Sequence, residues 1–282
     1  MGAMPGGRIV NAAAMLARDT LPVVMASEAA TDPVGDRVVR FLADAGVDTS
    51  SVDRFTEGHT PVTLFTGSGE MPRTMTRYES YPDRGFDIIW PRVDDDSIVV
   101  FGGYYALDSR MRQRMLPFLN HCVERGAIMV YLPGFMAQRE SRITRVMPAI
   151  LENLELAHII IARNNDLKLL FGVDSDQKCY TDRVDFYCRS MVNVDPVCRT
   201  INYFSGKEVT HSEIPEKICT SLTWNAGVVA GVVASIYEQR LTPADLDAPG
   251  PELRETILRA AVMSASRAAD AIDESWHLCI QN

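Results

Sequence analysis

The residues of this 282-residue chain best placed to do chemistry begin with the stretch from Cys219 to Tyr237. There a polar lead-in, Thr220, Ser221 and Thr223, enters an apolar run whose Gly227, Gly231 and Ala234 fall at i, i+4 and i+7 on one helical face. A loop that runs straight into a buried helix presents free N–H groups and the positive end of the dipole, which suits a phosphate or a developing negative charge. The same small residues equally let a neighbouring helix pack closely. Near the start, Pro5-Gly6-Gly7 leads into an alanine-rich helix, and Asn11 stands about one turn inside it, where its amide can reach hydroxyls. Gly102-Gly103 ends an apolar run, and glycines beyond a strand's C-terminus let a ligand approach the backbone. Asp94-Asp95-Asp96 has the look of a metal cluster but reads as a solvated strand edge, and His158, at a strand mouth, reads as structural.

Composition removes several function classes. A hydrophobic fraction of 46% and a charged fraction of 23% suit a soluble globular protein, long enough for one large α/β domain or two smaller ones. No run reaches the roughly 18 apolar residues of a membrane span, and the N-terminus lacks a basic region followed by an apolar core, so a cytoplasmic protein with no membrane partner is expected. A net charge of −9 without a basic stripe argues against nucleic acid as a partner. The cysteines at 122, 179, 188, 198, 219 and 279 form no C-x-x-C pair and have no histidine at metal-ligand spacing, so they read as reduced thiols.

The elements that must position these groups follow from periodicity and punctuation. Leu21 to Met25 predicts a short buried strand. From Asp32 a helix carries Val34, Val38, Phe41, Leu42 and Ala45 on one stripe until Gly46 closes it. Thr60 to Thr66, the turn Gly67-Ser68-Gly69-Glu70 and the return Thr74 to Tyr78 predict a hairpin, whose Arg73 and Arg77 could meet anionic substrate groups. Ser97 to Phe101 reads as a buried parallel strand. A helix from Ser109 follows, burying Met111, Met115, Phe118, Leu119 and Cys122 and kinked by Pro117, then a strand from Ala127 to Leu132. The stripe Ile143, Val146, Met147, Ile150, Leu151 and Leu154 predicts another helix before the strand His158 to Ala162. This alternation implies βαβ units and a largely parallel sheet. Asp182 to Met191 predicts a short helix, Val197 to Tyr203 and Glu208 to Thr210 two strands, Leu241 to Leu246 a turn into a short helix, and Pro251 to Ala271 a long one.

Together, Gly6-Gly7-x-x-x-Asn11-x-Ala13, a strand, Asp32-Pro33-Val34-Gly35-Asp36 and Leu42-Ala43-Asp44-Ala45-Gly46-Val47-Asp48-Thr49-Ser50 resemble the N-terminal half of the ribokinase-like PfkB carbohydrate kinases. The resemblance implies a single α/β domain over residues 1–282. It would be a three-layer α/β/α arrangement with a mostly parallel central sheet and a small β lid at about 58–82. It implies transfer of the ATP γ-phosphate to a hydroxymethyl group of a small sugar or nucleoside, with ATP and Mg²⁺ as cofactors if the chain is active, and a homodimer through the lid. By the same resemblance Gly6, Gly7, Asn11, Gly102 and Gly103 touch substrate and Gly227 lies on the nucleotide side. Asp166 falls where the family's Asn-x-x-Glu motif has its Glu and Arg163 where it has its Asn. Asp166 is then a metal residue acting through water, or it simply caps the following helix.

The resemblance breaks where the family does its chemistry. PfkB kinases carry Asp-Thr-x-Gly-Ala-Gly-Asp ahead of a helix continuing Ala-Gly, with the Gly-Ala-Gly amides as anion hole and the last Asp as base. Aligning Ala230-Gly231 puts Thr223, Trp224 and Asn225 on Gly-Ala-Gly and Ala226 on the Asp; a one-residue shift puts Asn225 there. Neither residue is a base, so assistance worth typically ~10²–10⁴-fold is absent and no catalytic residue is assigned. Family members also place a strand and an acidic residue ahead of Gly-Gly, and the chain starts almost at Pro5. The expectation is a carbohydrate kinase-like protein whose activity is weak or lost; the alternative is a non-catalytic sugar- or nucleotide-binding regulatory paralogue.

Overall fold

The computed structural model describes residues 5–66, 74–80, 87–135, 142–220 and 223–278. Contacts divide the chain into two compact units, Ala13–Pro91 and the remainder, the division falling inside helix α1 (Arg8–Arg18).

Within Ala13–Pro91, β1 (Ser27–Ala30) and β2 (Val52–Phe55) pair in parallel, with α2 (Pro33–Asp44) between them in sequence. Asp32 starts α2 as expected of an N-cap: its Oδ1 accepts from Gly35 N at 2.7 Å, while Oδ2 accepts from Thr60 N at 2.8 Å. A β-carbon at Gly35 would lie 2.1 Å from Ala30 O, so only glycine lets α2 sit this close to β1. The hairpin is present as β3 (His59–Thr66) and β4 (Thr74–Ser80), with a register shift between His59 and Val62, where Pro61 has no N–H to give. Its turn, Arg73 and the side chain of Arg77 lie outside the described residues. The strand expected at Leu21 to Met25 does not form. That segment gives a single bridge, Val24 to Asp48, and pairing starts instead at Ser27. Pro22 lacks a donor, and Val24 is 45% exposed rather than buried.

The larger unit is built on a six-stranded sheet in the order β10-β9-β8-β7-β6-β5. The parallel half is β5 (Ile98–Gly102), β6 (Ile128–Leu132), β7 (Ile159–Arg163) and β8 (Ser190–Asp195). β9 (Thr200–Ser205) and β10 (Glu208–Glu213) run antiparallel at one edge. Crossovers carry α3 (Ser109–Glu124), α4 (Ile143–Leu156), α5 (Asn164–Phe171) and α6 (Asp176–Cys179), the last running into a π-helical turn at Tyr180–Val184. All of β6 is buried, as a parallel strand covered on both faces must be, and each large apolar side chain there contributes about 1.5–3 kcal/mol.

The helix expected over Asp182 to Met191 is absent. The helical piece ends at Val184, and Ser190 begins a strand. Ser190 and Asn193 made the segment look polar, yet both are buried and bonded inside: Ser190 Oγ donates to Leu246 O at 2.5 Å and Asn193 Nδ2 to Asp176 Oδ2 at 3.2 Å. His158 has the structural part expected of it. Met129 N donates to its Nδ1 at 2.9 Å, and burial lowers the imidazole pKa against the opposing pull of Asp247.

The C-terminal region adds α7 (Glu216–Thr220), α8 (Trp224–Glu238), α9 (Pro243–Asp247) and α10 (Pro251–Leu278). A β-carbon at Gly227 would lie 2.5 Å from Ala265 Cα, and one at Gly231 would lie 2.3 Å from Ala260 O. The small-residue face of α8 therefore meets the backbone of α10. No described helix is long and apolar enough to cross a membrane, and the five described cysteines are free.

Candidate functional site

The C-terminal ends of β5, β6 and β7 gather several of the residues singled out above, all within the larger unit. At the end of β5 the two glycines differ in purpose. Gly102 has φ +150°, and a β-carbon there would lie 2.2 Å from Leu132 O, so its lack of a side chain serves strand packing. Gly103 has φ +64° with open space where a β-carbon would point, and its N–H donates to Leu132 O at 3.0 Å.

Gly6 likewise faces open space, and Gly7 takes φ +102° to start α1. Asn11 turns its amide back on this turn, with Nδ2 donating to Pro5 O at 3.0 Å and to Gly7 O at 2.9 Å. Its donors thus shape the glycine loop, which leaves Oδ1 as the group able to meet a ligand hydroxyl.

Asp166, in the first turn of α5, is 2% exposed and is gripped by two arginines. Arg163, at the N-cap position of α5, pairs bidentately: Nε to Oδ2 at 2.8 Å and Nη2 to Oδ1 at 2.5 Å. Arg8, from the first turn of α1, places Nη1 3.2 Å from Asp166 Oδ2 and donates through Nη2 to Pro133 O at 2.7 Å. Burial lowers the Arg8 pKa against the opposing charge of Asp166. Burial also pulls on Arg163, but there the hydrogen bond and charge of Asp166 prevail and raise it. Both remain cations at any physiological pH. Gly134 lies against this group, since a β-carbon there would stand 3.4 Å from Arg8 Nη2 and from Gly103 Cα, in van der Waals contact with both.

Mg²⁺, which the resemblance implies at Asp166, needs carboxylate oxygens free of competing cations. Here both oxygens face guanidinium groups, and among the described residues no group of three or more His, Cys, Asp or Glu could hold a metal. The residues present do not fit the ion. Arg8 was not singled out from sequence. The signal available was a basic residue directly after the glycine turn, and only the fold shows that it reaches a carboxylate more than 150 positions away.

At the mouth of α8, Thr223 holds the N-cap position without capping the helix; its hydroxyl donates to Ala268 O at 3.1 Å. Its carbonyl accepts from Ala226 N at 2.9 Å and Gly227 N at 3.1 Å, so the Gly227 amide is engaged within the helix. Trp224 and Ala226 are buried, Asn225 is half-buried, and no acidic residue stands in the first turn. Of the two registers considered for the family's base, position 225 is therefore the more open to a ligand. Separately, within Ala13–Pro91, Asp32, Val34, His59, Thr60, Val62, Tyr78 and Ser80 line a concavity of about 590 Å³ beside the hairpin.

Comparison with known proteins matches residues 1–184 to the pfkB family carbohydrate kinase. Aminoimidazole riboside kinase from Salmonella enterica superposes with a TM-score of 0.76 at 16% identity, over 94% of this chain and 86% of that one. Fructokinase from Vibrio cholerae O395, in its fructose-, ADP- and calcium-bound form, gives 0.76 at 16% identity over 94% and 84%. Fructokinase from Xylella fastidiosa with bound ATP gives 0.71 at 16% identity over 94% and 84%. These likenesses establish a ribokinase-like α/β fold. None of the curated proteins compared with the chain matches it.

Proposed function

The chain belongs to the pfkB family of carbohydrate kinases, and from that premise we propose that it binds a small sugar or nucleoside and a nucleotide, with phosphoryl transfer weak or lost. The observation that supports the proposal is the first turn of α8, which holds no acidic residue and buries Ala226, at the positions where the resemblance aligns Thr223, Trp224 and Asn225 with the anion hole and Ala226 or Asn225 with the carboxylate base. Without a base, transfer has only positioning and electrostatics to draw on. In this reading Gly6, Gly7, Asn11 and Gly103 contact the sugar, Gly102 supports them through strand packing, and the mouth of α8 up to Gly227 faces the nucleotide. Asp166 acts as the partner of two arginines rather than as a metal residue. The organisation proposed is one ribokinase-like domain over 1–282 with residues 58–82 as a β lid, cytoplasmic and dimerising through that lid.

A second reading, a sugar- or nucleotide-binding regulatory paralogue with no turnover, is favoured by the paired state of Asp166. The two separate in one experiment: thermal shift against ATP, ADP and a panel of sugars and nucleosides, alongside a coupled assay for ADP release. A ligand selective for the native state raises the melting temperature by mass action. Stabilisation by a sugar or nucleoside with slow turnover that Asn225→Asp increases supports the kinase reading; stabilisation with no turnover in either form supports the regulatory one. Fast turnover by the unaltered chain that survives Asn225→Ala overturns both.

A further inference from the structure

The mismatch between Asp166 and a divalent cation points to a ligand of the opposite sign. Arg8 and Arg163 bring two positive charges to one carboxylate, leaving a positive charge in excess. The cluster stands at the C-terminal ends of parallel strands, where doubly wound sheets receive their ligands. A guanidinium has five N–H donors in a fixed fork. Arg163 uses Nε and Nη2 on Asp166, and among the described residues its Nη1 has no acceptor although the side chain is 36% exposed. Arg8 uses one donor on Pro133 O and one toward Asp166 Oδ2. There is room on the Arg8 side: apart from their chain neighbours, neither Gly103 nor Gly6 has an atom within 4 Å of where a side chain would begin, and a β-carbon at Gly134 would lie 3.4 Å from both Arg8 Nη2 and Gly103 Cα.

We propose that Arg163, backed by Arg8, forms a phosphate site that works without a metal ion. A planar guanidinium edge matches two phosphate oxygens, and a charge-assisted pair of this kind is about twice as strong as a neutral hydrogen bond. Asp166 holds the fork of Arg163 in one orientation, so the free Nη1 edge is set before the ligand arrives. The positive charge in excess would offset phosphate charge without a metal ion. The ligand chemistry is a phosphate monoester or polyphosphate, which a nucleotide and a phosphorylated sugar share. The inference stands apart from turnover, since a chain that transfers nothing can still hold phosphate.

The test uses the full chain in excess EDTA, with thermal shift and calorimetric titration against inorganic phosphate, ADP, ATP and a hexose 6-phosphate, and sodium chloride of matched ionic strength as control. At least one phosphate probe is expected to raise the melting temperature where chloride does not, with an affinity that Mg²⁺ improves no more than twofold. Arg163→Gln is expected to weaken that binding tenfold or more, while Arg163→Lys keeps part of it and verifies that a folded variant was measured. A response confined to ADP and ATP assigns the site to the nucleotide; one that includes the hexose phosphate but not ADP assigns it to the acceptor. Two results overturn the proposal: no phosphate probe binds until Mg²⁺ is added, or Arg163→Gln binds as tightly as the unaltered chain and loses only melting temperature. Neither depends on whether any sugar is phosphorylated.

Discussion

Replacing Asp166 with asparagine separates a carboxylate that neutralises arginines from one that waits for a metal. The native oxygens sit 2.5 and 2.8 Å from Arg163 and 3.2 Å from Arg8, in a side chain 2% exposed. The amide keeps one acceptor oxygen but turns an NH₂ group toward donors, and it leaves Arg8, 19% exposed, without its counter-charge. Removing one partner of a buried pair costs about 3–5 kcal/mol. Arg163 is exposed enough to turn to water, which puts the expected loss at the lower end, about 3 kcal/mol. With an m-value of about 3 kcal/mol per molar for a chain of this size, the urea midpoint should fall by about 1 M. The measurement is urea unfolding by circular dichroism in EDTA, with hydrogen exchange on β7 and α5 to localise the loss. Added Mg²⁺ should change neither protein. A loss below about 0.5 kcal/mol, the usual range for surface changes away from such networks, would refute the argument. So would a native protein that EDTA alone destabilises and Mg²⁺ restores.

Other outcomes follow from separate features. Gly231→Ala should destabilise by about 1–3 kcal/mol despite the ~1 kcal/mol helix preference for alanine, because the new methyl meets Ala260 O; urea melts decide it. Ala226→Asp should cost at least about 1–3 kcal/mol and restore no turnover, since position 226 is 2% exposed, whereas Asn225→Asp should be tolerated; melting temperature and ADP release are read together. The His158 pKa is lowered in the folded chain, so the unfolded chain takes up the proton first. Its contribution is complete above about pH 6.5 and is lost as pH falls from there through the folded value. Urea midpoints measured between pH 7.5 and 5.5 should show this slope, and His158→Asn, whose Oδ1 can accept from Met129 N, should flatten it.

Strands β5, β6 and β7 were legible because apolar residues dominate them, interrupted only by the Tyr131 hydroxyl and by Arg163 at the end of β7, and α2 because Asp32 and Gly46 mark its two ends. β8 was not, since Ser190 and Asn193 break its apolar run, and their partners, Leu246 and Asp176, lie on other elements of the fold. Leu21 to Met25 misled for the opposite reason, an apolar run whose proline denies it a ladder. At the site, position along the chain drew attention to Asp166, Gly6, Gly7, Gly102 and Gly103, which the fold gathers near the C-terminal ends of β5 and β7 and the start of α1. What Asp166 does was hidden, because its role is set by a guanidinium from α1 that only the fold brings to it. The glycines of α8 pointed to a close neighbour, and periodicity alone could not say whether that neighbour was a phosphate or α10.

The seam between α8 and α10 has a mechanical outcome. Where α10 rests on bare glycine backbone, the two rods lie as near as their main chains allow, and the tether from Thr223 to Ala268 joins the entrance of α8 to its companion. A guest arriving at residues 223 to 226 would press on α10 as directly as on α8. Exchange protection of amides around Ala265, far from the entrance in sequence, should therefore report its arrival.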